Sequence, residues 1–144
     1  TEESMAINNV TSGAIIIAGS GMCSGGRIRH HFKNNLWREK AHIIISGFQA
    51  RGTPGRALVE GAESLNVLGN KIAVKAKIHT LGGFSAHAGQ TQLLAWAKQF
   101  EKPRPQLYLI HGEIEKMQAL QEKFDTKLGW KVHIPDVGDV IQLH

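Results

Sequence analysis

The apolar positions of the chain fall into short runs separated by loops rich in glycine and proline. Ala14-Ile15-Ile16-Ile17-Ala18 and His42-Ile43-Ile44-Ile45-Ser46 are β-branched runs of strand length, and each predicts a strand buried on both faces. The first ends in Gly19-Ser20-Gly21-Met22-Cys23-Ser24-Gly25-Gly26, and a helix is predicted from about Arg27 to Leu36. The second ends in Gly47, and Phe48-Gln49-Ala50-Arg51-Gly52-Thr53 then runs into Pro54. Proline suits the first helical position, so a short helix is predicted over Pro54–Glu60, closed by Gly61.

Residues 72–80 alternate, with Ile72, Val74, Ala76 and Ile78 on one side and Lys75 and Lys77 on the other, which predicts one half-exposed strand. A loop through Phe84-Ser85-Ala86-His87 leads to a helix predicted from about Ala88 to Phe100, with Leu93, Leu94, Trp96, Ala97 and Phe100 on its apolar face. Lys102-Pro103-Arg104-Pro105 breaks it. Leu107–Ile110 reads as a buried strand that delivers His111-Gly112-Glu113, and Ile114, Met117, Leu120, Phe124 and Leu128 then mark a helix stopping at Gly129. Lys131–Ile134 and Val140–Leu143 read as closing strands. Strands alternating with helices predict an α/β fold, a largely parallel sheet with flanking helices, in which function gathers at the carboxyl ends of strands.

The composition is that of a globular chain of 144 residues, long enough for one ordinary core. No apolar run reaches membrane-spanning length, so no membrane association is expected. The opening Thr1-Glu2-Glu3-Ser4 does not resemble a natural translation start, and a piece of a longer protein is expected. The single Cys23 excludes an internal disulfide and any cysteine-rich zinc site, and it fits a cytoplasmic location. Metal binding would fall to the eight histidines and to carboxylates. The net charge of +5 is concentrated in residues 1–76, where nine Lys/Arg face five Glu and no Asp, an excess that attracts polyanions.

Four loops could carry chemistry. Ser24, Gly25 and Gly26 would offer backbone amides at a helix start to a phosphate, with Arg27 adding charge; a tight glycine turn is the plainer reading. Arg51 and Thr53 could contact a phosphate from the next strand end, or simply form a solvated loop. His87, beside the small Ala86 and near Ser85, is open enough to move a proton or hold a metal. His111 follows four apolar residues, so a buried strand would hold it rigidly, with Glu113 orienting it or capping the next helix. His87 and His111 follow strands of one β–α–β pattern and are expected on the same sheet edge. Of the other histidines, His42 is expected to be packed and His79 to be a satisfied strand residue. His30, His31, His133 and His144 have no assignable partner.

Gly21-Met22 with Ser24-Gly25-Gly26, Gly47-Phe48-Gln49-Ala50 with Gly52-Thr53, Phe84-Ser85-Ala86-His87, and His111-Gly112-Glu113 occur here in one order. Together they resemble the metallo-β-lactamase/β-CASP family of RNA- and DNA-processing nucleases, over about residues 13 to 143. The resemblance implies that residues 1–76 are the second half of a β-CASP domain. Residues 77–144 would be the returning C-terminal segment that completes a metallo-β-lactamase domain. It also implies two zinc ions in the full-length protein, His111 as a contact to one of them, and His87 beside the scissile phosphate as the general acid. Ser85 and the loops at Ser24–Arg27 and Arg51–Thr53 would meet the nucleic acid. The implied partners are RNA, with DNA as the alternative, and the missing N-terminal metallo-β-lactamase region. Self-association through exposed apolar surface is expected as well.

The chain departs from the family pattern at two points. Gly89 stands where the family commonly has Asp, two residues after the histidine. His-x-His-x-Asp-His, which binds most of the zinc, occurs nowhere in the 144 residues, nor does the family's first acidic β-CASP motif. The expectation is therefore part of a zinc-dependent ribonuclease that is inactive alone. The rival reading is a non-catalytic nucleic-acid-binding or scaffold member of the same fold, and a weaker one is a small-molecule hydrolase of the wider metallo-β-lactamase class.

Overall fold

A computed structural model describes residues 2–142. The chain divides into two compact units, the first ending at Ser85 and the second beginning at Ala86.

In the first unit, α1 (Glu2–Ala6) and a 3-10 turn (Ile7–Asn9) precede a long irregular stretch, followed by α2 (Ile28–Asn35) and β1 (His42–Ile45). Then come α3 (Pro54–Val59), β2 (Ser64–Val67), β3 (Asn70–Ala73) and β4 (Lys77–Thr80). β1 and β4 pair in parallel, with Ile43 opposite Ile78 and Ile45 opposite Thr80. β2 and β3 form an antiparallel hairpin that periodicity alone did not reveal, because residues 72–80 were read as one strand. Its two-residue turn, Leu68-Gly69, has positive φ at both positions (51° and 76°), the twist that a tight hairpin requires. Cys23, Phe32, Leu36, Ile45, Leu58, Leu65 and Val67 form the core of this unit.

The second unit holds α4 (Gln90–Ala97), β5 (Leu107–Tyr108), α5 (Ile114–Leu128) and β6 (Val132–His133). β5 and β6 pair in parallel across α5, a small β–α–β unit. Leu94, Ala97, Phe124, Trp130 and Val132 are its buried centre. Trp130 meets Phe124 and Phe100 edge-on and donates its indole N–H to the Pro105 carbonyl at 3.1 Å. Among the described residues no helix is long and apolar enough to cross a membrane.

The α/β character stands, but among the described residues the largely parallel sheet is replaced by three two-stranded sheets, two parallel and one antiparallel. The predicted strand at Ala14–Ala18 does not form; Ile15 and Ile17 are 91% and 95% exposed. A strand is stable only when a neighbour takes up its backbone groups, and no described strand pairs with this segment. Nor is β1 buried on both faces: Ile45 is buried on one, while Ile44 on the other is exposed. Val140–Gln142 is likewise irregular, and Leu143, the end of that predicted strand, lies outside the described residues together with His144.

Candidate active-site loops

The two loops of the first unit that the sequence marked separately are joined in the structure. Gln49, 5% exposed, donates its side-chain amide to the carbonyls of Gly21 (2.8 Å), Phe48 (3.0 Å) and Gly47 (3.3 Å). Ala50 N–H points at the Met22 thioether sulfur (3.3 Å), and Gly55 N–H donates to the Met22 carbonyl (3.2 Å). A Cβ at Gly55 would sit 1.7 Å from Gln49 Oε1, so glycine is required there for the glutamine to pack. The sequence marks Gln49 only as part of a motif and not as a clamp, since a polar residue after a strand shows its burial only once the Gly21–Met22 backbone has folded over it.

This clamp sets the loops that carry the phosphate-binding candidates. Ser24 and Arg27 are exposed and Gly25 is half-buried, just ahead of α2. Ser24 Oγ donates to the Met22 carbonyl at 3.4 Å. Cys23, inside the same loop, is buried and has φ 58°, a left-handed conformation that costs a side-chain-bearing residue free energy. Burial also raises the pKa of its thiol. Arg51 is exposed. Thr53 has structural work: its hydroxyl donates to the Ala50 carbonyl (2.7 Å) and accepts from Arg56 N–H (3.3 Å), capping α3. Arg56 in turn bonds Glu60 at 2.6 Å across one helical turn.

His87 lies exposed between a 3-10 turn (Gly82–Phe84) and α4, as does the neighbouring Ser85. Gly89 is the N-cap of α4 in extended conformation, and without a side chain of its own it relies on Gln92 Oε1, which accepts Gly89 N–H at 2.8 Å. His111 is exposed at the β5–α5 junction and has φ 62°. Glu113 is the N-cap of α5, but its side chain makes no capping bond; Lys116 and Met117 amides donate to its carbonyl instead.

The shared sheet edge expected for His87 and His111 is not built by strand pairing. β4 pairs with β1, and β5 pairs with β6. Among the described residues no three His, Cys, Asp or Glu side chains gather to hold a metal ion. His111 by itself is one imidazole, so the donor set of this chain does not complete a zinc site. His42 is exposed rather than packed: its ring stacks on His79, with Nδ1 2.9 Å from His79 Nε2. The edge strand β1 leaves that face uncovered. His31 is buried on α2 and His133 is exposed beside Tyr108.

The strained loops at Cys23 and His111, on either side of the Phe84–His87 segment, coincide with the sequence blocks that two family models match. One is the Beta-Casp domain, matching residues 1–58, and the other the Zn-dependent metallo-hydrolase RNA specificity domain, matching residues 71–135. The chain belongs to the β-CASP branch of the metallo-β-lactamase family. It is 40% identical to a ribonuclease of Thermus thermophilus over 83% of this chain and 27% of that protein. It is 35% identical to the transcription termination factor FttA of Thermococcus kodakarensis over 90% of this chain and 21% of that protein. An RNase J-like protein of Methanocaldococcus jannaschii is 36% identical over 78% of this chain and 25% of its own length. The chain thus spans about a quarter of the length of these relatives.

Proposed function

We propose that this chain is part of a zinc-dependent nuclease that hydrolyses RNA phosphodiester bonds. The observation that carries the reading is the pair of histidine loops: His87 stands open just ahead of α4, and His111 is held in a left-handed backbone conformation just ahead of α5. Strain at an exposed histidine is tolerated where its direction matters. Residues 1–76 are then the later half of a β-CASP domain, and residues 77–144 the segment that completes a metallo-β-lactamase domain. The setting is cytoplasmic.

His87 acts as general acid, giving its proton to the leaving oxygen of the cleaved bond. His111 supplies one ligand to a two-zinc centre, and the other ligands come from the N-terminal metallo-β-lactamase region of the same protein. Zinc held there would supply a Lewis acid able to activate water and to offset charge on the phosphate. Ser85, the Ser24–Arg27 loop and Arg51 contact the nucleic-acid backbone, and Thr53 acts indirectly by capping α3 beneath Arg51. Glu113 lies close in sequence to His111 and supports its loop. This chain alone is inactive. RNA cleavage by the full-length, zinc-loaded protein tests the reading: His87→Ala should remove cleavage and leave RNA binding. Cleavage unaffected by that change would reject the assignment.

A second reading, a non-catalytic nucleic-acid-binding member of the family, is favoured by one observation. Gly89 takes the place of the carboxylate that commonly follows the histidine. Full-length protein that binds RNA and zinc yet never cleaves would establish it.

A further inference from the structure

The second unit carries a groove that the proposed active site does not use. It lies at the amino ends of β5 and β6, the end of the parallel pair opposite to the one that leads into His111. It has a volume of about 730 Å³ and is lined by Lys102, Arg104, Gln106, Trp130, Lys131 and His133, with two prolines and a glycine between them. No acidic residue lines it. That is a marked separation of charge, because residues 86–144 hold seven Lys/Arg against seven Asp/Glu, and three of those seven cations meet in this groove.

Among the described residues no carboxylate pairs with Lys102, Arg104 or Lys131. Arg104 is fixed by neutral partners alone: it donates to the Leu128 carbonyl at 2.5 Å and to the Phe100 carbonyl at 3.4 Å, and its guanidinium lies 5.1 Å from the Trp130 ring centroid. Lys102 and Lys131, both exposed, flank this fixed charge from two chain segments. Gln106 and His133 add polar groups that can hydrogen-bond, and the Tyr108 ring lies against His133 with centroids 5.3 Å apart. A guanidinium fixed in place beside two exposed lysines, with Gln106 and His133 able to hydrogen-bond, suits a single phosphodiester strand.

We propose that this groove is a second RNA-binding site, gripping the strand through its phosphates at the end of the β5–β6 pair opposite to His111. The proposal rests on the reading of the protein as an RNA enzyme. Its ligand class is single-stranded RNA, and sequence preference is expected to be weak because no base-reading pocket is present in the lining.

The test is fluorescence anisotropy of this chain with a labelled uridine oligomer across a salt series. Lys102→Glu combined with Lys131→Glu should weaken binding at low salt at least about tenfold and lower the salt slope by about 1.4, the loss of two phosphate contacts. Lys71→Glu with Lys98→Glu makes the same change in net charge outside the groove and should weaken binding less than about twofold by loss of general attraction alone. Circular dichroism should show both pairs folded. Equal losses in the two pairs, or an unchanged groove pair, overturns the proposal. So does polyglutamate binding as tightly as the RNA, which would make the groove a general polyanion surface or a site for an acidic protein. The catalytic reading fails separately, in the cleavage assay of the full-length protein, where His87→Ala is decisive and the groove pair only weakens RNA affinity.

Discussion

Gln49 donates its side-chain amide to the carbonyl of Gly21 at 2.8 Å, joining two loops separated by 28 residues of chain. Each loop follows a run of isoleucines, and each bears candidate phosphate contacts. Their joint placement rests on this buried amide, on the Gly55 and Ala50 amides that meet Met22, and on the absence of a side chain at Gly55. Gln49→Ala should destabilise the protein by about 1 kcal/mol or more, through loss of the buried side chain and of its hydrogen bonds to the loop carbonyls. Gly55→Ala should destabilise the wild type by a comparable amount, because its methyl displaces the Gln49 amide. In the Gln49→Ala background the same change should cost much less. Urea denaturation of the four proteins completes the cycle; additive effects would show that the two positions do not meet.

Thr53 separates a structural role from a ligand-binding one. Thr53→Ala should cost about 1 kcal/mol through loss of the α3 cap, whereas Thr53→Ser should keep nearly all the stability. RNA affinity of the serine variant should be unchanged. An affinity loss with serine would mean that the threonine methyl, rather than the cap, matters at this loop.

Gly89→Asp should stabilise α4 by a few tenths of a kcal/mol, because aspartate is the better N-cap. A Cβ there meets only Gln92 Oε1, at an ordinary 3.8 Å, so nothing obstructs it. The same change places a carboxylate near His87. In the full-length protein cleavage should rise if a missing carboxylate weakens the general acid; thermal melting and single-turnover cleavage read the two effects independently.

His111→Ala should lower zinc bound per full-length protein, while His87→Ala should leave it unchanged and reduce kcat by about 10²–10⁴-fold. Metal analysis of the purified variants, alongside cleavage kinetics, separates the two roles. Equal metal loss in both would put His87 among the ligands instead.

Cys23 should react slowly with iodoacetamide in the folded protein at mildly alkaline pH and rapidly in urea, since burial raises its pKa and covers the sulfur. The sign of the linkage follows from that shift. The unfolded thiol ionises at lower pH than the folded one, so the stability Cys23 contributes is whole below the unfolded pKa. It is lost as pH rises through the folded pKa. Stability that rises over that range in wild type relative to Cys23→Ala would contradict the shift.

The sequence by itself determined four of the helices, the punctuation and the motifs; α1 carries no such signal. α5 was legible because Ile114, Met117, Leu120, Phe124 and Leu128 repeat at helical spacing and Gly129 ends it; α3 was legible from Pro54 and Gly61. These are local signals, set within a few residues by sterics and periodicity. His87 and His111 were marked for the same reason, by their short motifs. What the chain pairs with was decided only by tertiary structure. Ala14–Ala18 has the composition of a buried strand yet stays irregular and largely exposed, because a strand also needs a neighbour, and no described strand pairs with it. The polar clamp of Gln49 on Gly21 and the meeting of Lys102, Arg104 and Lys131 around Trp130 were equally invisible. Each is a contact between segments far apart in sequence, and neither burial nor charge clustering across such distances leaves a periodic trace in one chain.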